Sequence, residues 1–457
     1  MRFDVQPLID DNQAQELRNL FSRRALIGGA VATGVLALPL SARAQTTPAT
    51  GGGEAEITVD QARTAPIPIV IPSFGAGLGD QISGVVISDL EGTGLFKVMS
   101  GQVGVGGTPD FASLKAQGAR AAVGGLASGS GSVRVEMRLW DVLAGEQLQG
   151  TAYTASSANW RRIAHIIADV IYERMLGEKG YFDTRLAYIA RTGARHRQTT
   201  RLAIMDYDGA NSRMLTSGEW LTLMPRFNPT RDQIAFLSYA NDRPRVYVFD
   251  LASGRQRILG EFQGISFAPR FSPNGSQIVL SATRGGGSDL FLVDLGSGSK
   301  RQITSSGAID TSPCFSPDGS QIVFVSDRGG TPQLYLMSAS GGGAKRISYG
   351  QGTYGSPVWS PRGDLIAYTR LSGGRFALGV MGPDGTGERI LTEGFTVEGP
   401  TFCPNGRVIA FCRQSAAGAG GAGFASGIGT IDITGFNERP VQTGTGASDP
   451  AWSPRDV

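Results

Sequence analysis

Apolar and polar positions fall into two regimes along the chain, and the change comes near residue 181. From 57 to 180, strand and helix signals alternate. "IPIVIPSF" (67–74) is β-rich, and "GDQISGVVISDLEGTG" (79–94) has helical spacing with a Gly-rich stop. "ARAAVGGLAS", "SVRVEMRLWDV" and "EQLQGTAYTA" read as strands. "SSANWRRIAHIIADVIYERML" (156–176) is the clearest helix. Trp160, Ile163, Ile167, Val170, Ile171 and Met175 line one face of it, with Ser157 or Asn159 placed to cap it. His165 lies off this stripe and reads as a solvated position. The segment predicts a small α/β domain over 57–180.

Beyond 181 the helical period disappears and one phrase recurs. It reads "MPRFNPTRDQIAFLS" (224–238), "APRFSPNGSQIVLSA" (268–282), "SPCFSPDGSQIVFVS" (312–326), "SPVWSPRGDLIAYTR" (356–370) and "GPTFCPNGRVIAFCR" (399–413). A sixth copy, "DPAWSPRDV" (449–457), stops after its first strand. The leading prolines, Pro225, Pro269, Pro313, Pro357, Pro400 and Pro450, are spaced 44, 44, 44, 43 and 50 residues apart. A period in the mid-forties with strand patterning throughout is that of a β-propeller.

Each copy carries a short aromatic strand, a Pro/Gly turn that reverses the chain, and a second alternating strand. A third follows, such as "QLYLMS" (333–338), and then a fourth such as "KRQIT". Four strands make a blade, and a blade buries its faces only against neighbours, which is why the phrase repeats. Residues 185–216 hold strands two to four of a blade with no first strand before them. The strand at 449–454 supplies it. The reading is therefore a six-bladed propeller over 181–457, closed by the C-terminal strand.

The N-terminus adds an address. "SRRALIGGAVATGVLALPLSARA" (22–44) has an arginine pair, an apolar stretch short of the ~20 residues of a membrane span, and a small-x-small ending. Residues 1–44 read as a twin-arginine-like export signal cleaved between Ala44 and Gln45. Residues 45–56 are Gly-rich and polar, a flexible arm. The mature chain is expected outside the cytoplasm.

Composition narrows the chemistry. Lys and Arg number 42 against 39 Asp and Glu, a net charge of +3, and no basic run has interleaved aromatics, so nucleic acid is not an expected partner. Two histidines leave little for a multi-histidine metal site, and no cofactor is expected. Cys314, Cys403 and Cys412 read as buried apolar residues. There is no GxSxG, no GxxxxGK[ST] and no HExxH. The one GxGxxG, at Gly418, Gly420 and Gly423, lies in a Gly/Ala loop. "DYDG" (206–209) is a turn rather than a calcium loop, and Asp327–Arg328 in "SDRGG" reads as a solvated loop pair.

What remains is a surface. The loops leading into first strands, such as "GISF" (264–267) and "AIDT" (308–311), share a face with those joining strands two and three, such as "DRGGT" (327–331). Their low charge suits protein docking better than catalysis.

The order of these parts, "EITVD…IPIVIPSF", then "YFDTRLAYIAR", then six P-x-[FW] blades ending at "PAWSP", resembles the TolB family over nearly all of 56–457. That resemblance implies a non-enzymatic, monomeric periplasmic adaptor of the Tol–Pal system, peripheral to the envelope rather than membrane-spanning. It implies that the propeller face docks the peptidoglycan-associated lipoprotein Pal, here through Ile265, Ser266, Thr311 and Ser312. More polar residues, such as His and Glu, are expected at some of these positions in relatives. It implies an N-terminal arm, Glu56, Ile57, Thr58, Val59 and Asp60, that engages TolA. The role implied is outer-membrane integrity and constriction at division. Two other readings stay open: an exported propeller enzyme, for which the lead-in segments offer only Asp310 and Glu398, and a small-ligand-binding protein using the α/β domain.

Overall fold

The structure is a computed structural model that describes residues 65–193, 197–415 and 425–455. The export signal with its Ala44–Gln45 junction, the leader and the arm Glu56–Asp60 lie outside the described residues.

The N-terminal region is an α/β layer. Strands β1 (Ile67–Val70), β2 (Phe96–Met99), β3 (Ala121–Ser128), β4 (Ser132–Asp141) and β5 (Glu146–Ser156) form one sheet in the order β2-β1-β3-β4-β5. β1 is parallel to β2 and β3, so each link needs a crossover, supplied by α1 (Leu78–Gly92) and α2 (Phe111–Ala116). β3, β4 and β5 then run antiparallel as hairpins. α3 (Trp160–Leu176) packs its Ile163, Ile167 and Ile171 with Ile82, Val86 and Leu90 of α1 over the sheet. β2 and α2 are not in the sequence reading.

Two expectations for α3 change. Ser157 lies in a 3₁₀ turn, Ser157–Asn159, and Asn159 at the N-cap makes no side-chain capping bond. His165 is not solvated. Its residue is 2% exposed, because the propeller covers the side of the helix that faces away from the sheet's apolar stripe. Gly177, at φ 74°, ends the helix in the left-handed conformation that glycine tolerates.

Six four-stranded sheets follow. Blade 1 runs outward from Thr222–Phe227 through Gln233–Ser238 and Arg245–Asp250 to Gln256–Ile258. Blades 2 to 5 begin with innermost strands Ser266–Phe271, Asp310–Phe315, Thr353–Trp359 and Thr396–Phe402. Blade 6 is composite: Gly446–Trp452 pairs antiparallel with Arg185–Thr192, which pairs with Thr199–Asp206 and then Arg213–Met214. The ring closes as the two incomplete ends of the sequence require. The three cysteines are free and buried, as read.

The innermost strands share a feature that the phrase does not announce. Met224, Ala268, Ser312, Ser356, Gly399 and Asp449, each just before the proline, have φ between 49° and 62°. At each one the register with the second strand shifts, a β-bulge. Five of the six are not glycine, and a left-handed residue of that kind costs about 1–2 kcal/mol. Its recurrence marks a designed bend that turns the chain from the loop into the strand.

Candidate docking face

The described residues of the α/β domain pack on one face of the propeller, and the other face is free of them. Its contacts go to turns between strands one and two or three and four. Asn437 Nδ2 donates to Gly92 O at 2.7 Å, Asn405 Nδ2 donates to Lys179 O at 2.7 Å, and Arg362 pairs with Glu178 at 3.0 Å. The loops leading into innermost strands lie at the opposite end of the blades, away from these contacts of the domain's described residues.

That open face carries exposed apolar groups on its lead-in segments: Leu221 at 40%, Tyr349 at 70% and Phe395 at 46%. A contiguous apolar patch marks an interaction surface, and these three lead-in side chains are candidates for one. Sequence reading weighed the loops by their low charge, took in Leu221 within "LTLM" (221–224), and did not reach Tyr349 and Phe395. Their position just before first strands was the signal that could have found them.

The residues singled out from sequence lie at the starts of the innermost strands of blades 2 and 3, on the same face. Ile265, Thr311 and Ser312 are half-buried at strand starts, and Ser266 is buried. Ile265 is held by its backbone: its N–H donates to Thr283 Oγ1 at 2.8 Å and its carbonyl accepts from Thr283 N at 2.9 Å. Ser312 is itself one of the left-handed bulge residues.

The segment under Thr311 and Ser312 is fixed by charge. Asp310 is fully buried, and Arg328 Nη2 donates to both its oxygens at 2.9 Å. Ser326 Oγ donates to it at 2.6 Å and Ser306 Oγ at 3.1 Å. The Arg328 guanidinium lies 5.2 Å over Phe324 and 5.1 Å over Tyr335. Asp327 instead accepts Ile309 N–H at 2.8 Å. The solvated Asp327–Arg328 pair of the sequence reading is thus corrected: both side chains turn inward and tie two loops together. A buried carboxylate leaves Arg328 little choice, since unpaired it would carry the full desolvation cost. The result is a pre-ordered platform, which lowers the ordering cost of docking.

A second polar cluster sits in the seam between the domains. His165 Nδ1 lies 2.7 Å from Asp89 Oδ2, and Tyr207 Oη donates to Asp89 Oδ1 at 2.6 Å. His165 Nε2 is 3.9 Å from Asp208, which pairs with Arg161. Burial pushes His165 down, but the bond and charge of Asp89 outweigh it and its pKa is raised. Asp89, His165 and Asp208 converge closely enough to consider a metal ion. The guanidinium of Arg161 on Asp208 already supplies positive charge there, and His165 and Tyr207 occupy both oxygens of Asp89, so the donor set fits an interdomain tie better than a cation site.

Comparison with known proteins agrees with this architecture. Residues 172–456 match the TolB beta propeller domain and residues 55–148 the TolB amino-terminal domain. The chain is 79% identical over 449 residues, 98% of its length and 99% of the other's, to the Tol-Pal system protein TolB of Gluconobacter oxydans. It is 59% identical over 88% of its length, and 93% of the other's, to the protein of the same name from Paramagnetospirillum magneticum. The crystal structure of TolB from Acinetobacter baumannii superposes with a TM-score of 0.76 at 27% identity, covering 86% of this chain and 97% of that one. The chain belongs to the TolB family, the propeller proteins of the Tol-Pal system.

Proposed function

We propose that this chain is a non-enzymatic periplasmic adaptor of the Tol–Pal envelope system. Its open propeller face docks the peptidoglycan-associated lipoprotein Pal, and its N-terminal arm, Glu56–Asp60, engages TolA. Together these contacts support outer-membrane integrity and constriction at cell division. The observation that carries the reading is the open face itself: apolar Leu221, Tyr349 and Phe395 around a platform made rigid by Asp310–Arg328, with the α/β domain on the far side. Interface cores favour this mix of aromatic and uncharged groups. The buried acids of this face are held by hydrogen bonds, which suits structure better than acid–base chemistry.

The test uses the mature chain as bait against the Pal-type lipoprotein of the same organism. Binding is expected for the wild type. Thr311→Arg, which places a long cation among half-buried groups of the platform edge, is expected to weaken it at least about tenfold, with the melting midpoint kept, since a buried unpaired interfacial charge costs several kcal/mol. Wild-type affinity in that variant moves the interface elsewhere. Loss of lipoprotein binding by the unmodified chain removes the adaptor reading.

A further inference from the structure

One ring position differs sharply between blades. It follows the proline of each phrase and is filled by Arg226, Arg270, Cys314, Val358, Thr401 and Ala451. Two blades fix where its side chain points. Trp359 N–H donates to Cys314 Sγ at 3.4 Å, and Trp452 N–H donates to Thr401 Oγ1 at 3.1 Å, so the position faces the innermost strand of the next blade. Arg226 and Arg270 hold the same register, opposite Ala235 and Val279 of their own second strands. Two guanidiniums therefore stand on consecutive innermost strands, around the axis where propeller blades leave a central channel.

Their surroundings are short of negative charge. Arg226 lies within electrostatic reach of Arg270, Cys314 and Asp449, groups on three other blades. Burial lowers the Arg226 guanidinium to about 9, and the charge of Arg270 pushes the same way. Arg270 is lowered by burial too. Arg226 Nη1 donates to Pro225 O at 2.6 Å, so the head stays along the strand. Asp449 is already engaged by Ser448 Oγ at 2.7 Å and by Arg191 at 3.8 Å. Several propeller arginines are matched by acids, as in Arg185–Asp232, Arg328–Asp310 and Arg407–Asp432, whereas among the described residues Arg226 and Arg270 have no ion pair.

Enclosed like charges are costly until a counter-charge sits between them. The planar forks of two guanidiniums match the oxygens of phosphate or carboxylate. We propose that Arg226 and Arg270 form a binding site for a small oxyanion, phosphate or carboxylate, in the axial channel. The site is distinct from the lead-in loops that carry partner docking, and it does not depend on that reading.

The experiment is calorimetric titration of the mature chain with sodium phosphate and, separately, sodium acetate, at ionic strength held constant with chloride. Saturable binding of at least one anion is expected, weakened about tenfold or more in Arg226→Gln and in Arg270→Gln, because each removes a charge-assisted pair. Cys314→Asp keeps both arginines and supplies a fixed carboxylate beside them. It is expected to abolish anion binding and raise the melting midpoint, so a folding failure of the arginine variants leaves the proposal decidable. Binding of both anions in competition assigns a general oxyanion site, and binding of phosphate alone assigns a phosphate site. The proposal is overturned if neither anion saturates, or if folded arginine variants bind like the wild type. Where those variants do not fold, unchanged binding by Cys314→Asp overturns it.

Discussion

Asp169 shows how much one residue can control at the seam between helix and propeller. It lies on α3, buried, and its two oxygens accept the N–H groups of Phe182 at 2.8 Å and Asp183 at 3.1 Å. Those bonds hold the connection into the propeller. Burial nonetheless dominates and pushes the carboxyl up to about 6, from an ordinary 3.8. The native state then binds more protons than the unfolded chain between about pH 4 and 6, so this group makes stability fall as pH rises through that window. Above it, both states are ionised and the full penalty stands. Asp169→Asn keeps one acceptor and removes the charge. Unfolding free energies of wild type and variant, taken across pH 4 to 6, are expected to differ by an amount that drifts by roughly 1–3 kcal/mol in the variant's favour as pH rises. A difference that stays flat across the window shows that Asp169 does not titrate there. Gly180 belongs to the same device: a Cβ on it would sit 2.0 Å from Asp169 Oδ1, so no larger residue fits.

At the scale of elements, the closing strand decides whether the propeller exists. Gly446–Trp452 follows blade 5 and pairs with Arg185–Thr192, the first of the three strands that complete the ring. Trp452 concentrates the contact: its Nε1 donates to Thr184 Oγ1 at 2.8 Å, its N–H donates to Thr401 Oγ1 at 3.1 Å, and its ring stacks on Tyr207. Removing residues 449–457 is expected to abolish the cooperative thermal transition of the propeller. Trp452→Ala, a large-to-small change in the core, is expected to cost about 3–5 kcal/mol. If the truncated chain melted at the wild-type midpoint, closure by this strand would be wrong.

The same strand shows what sequence makes legible. Repeat spacing and the two complementary ends were enough to give six blades and their seam, because each blade restates its own turn chemistry. β2 and α2 were not legible: four residues, Phe96–Met99, and six, Phe111–Ala116, are too short for either period to appear. The candidate docking face could be marked in sequence as a set of loops but not as an arrangement. Asp310–Arg328 spans 18 residues, and the burial that forces the pair belongs to the folded blade. His165 failed as a reading for a related reason: a helix that packs on a sheet and also on a second domain has two buried sides, and hydrophobic spacing reports only the first.

The whole molecule depends on that second side. Residues of the α/β domain and the propeller share one hydrophobic core, in which Ile167, Tyr172, Phe182, Tyr188 and Trp452 all take part. Within it, the His165–Asp89–Tyr207 tie fixes orientation, since hydrogen bonds are directional where apolar contact is not. Burial raises Asp89, which taken alone favours a neutral acid, whereas His165 is raised by the charge of Asp89. The 2.7 Å contact and the second bond from Tyr207 favour the charged pair near neutrality. Asp206, Asp208 and Arg161 complete the charges that face the imidazole. With a folded pKa above the ordinary 6.5, His165 contributes stability that is fully present below pH 6.5 and fades as pH rises through the folded value. His165→Asn removes the titrating group, and Asp89→Asn removes the charge that raises it. Thermal midpoints followed from pH 6 upward are expected to fall in the wild type relative to His165→Asn. In Asp89→Asn that decline is expected to shrink or reverse. Hydrogen exchange in Trp160–Leu176 is expected to rise in both variants, because a broken buried pair costs about 3–5 kcal/mol and loosens the helix that joins the two domains. Parallel pH curves for wild type and His165→Asn, with exchange in α3 unchanged, would mean that apolar packing alone holds the domains in register.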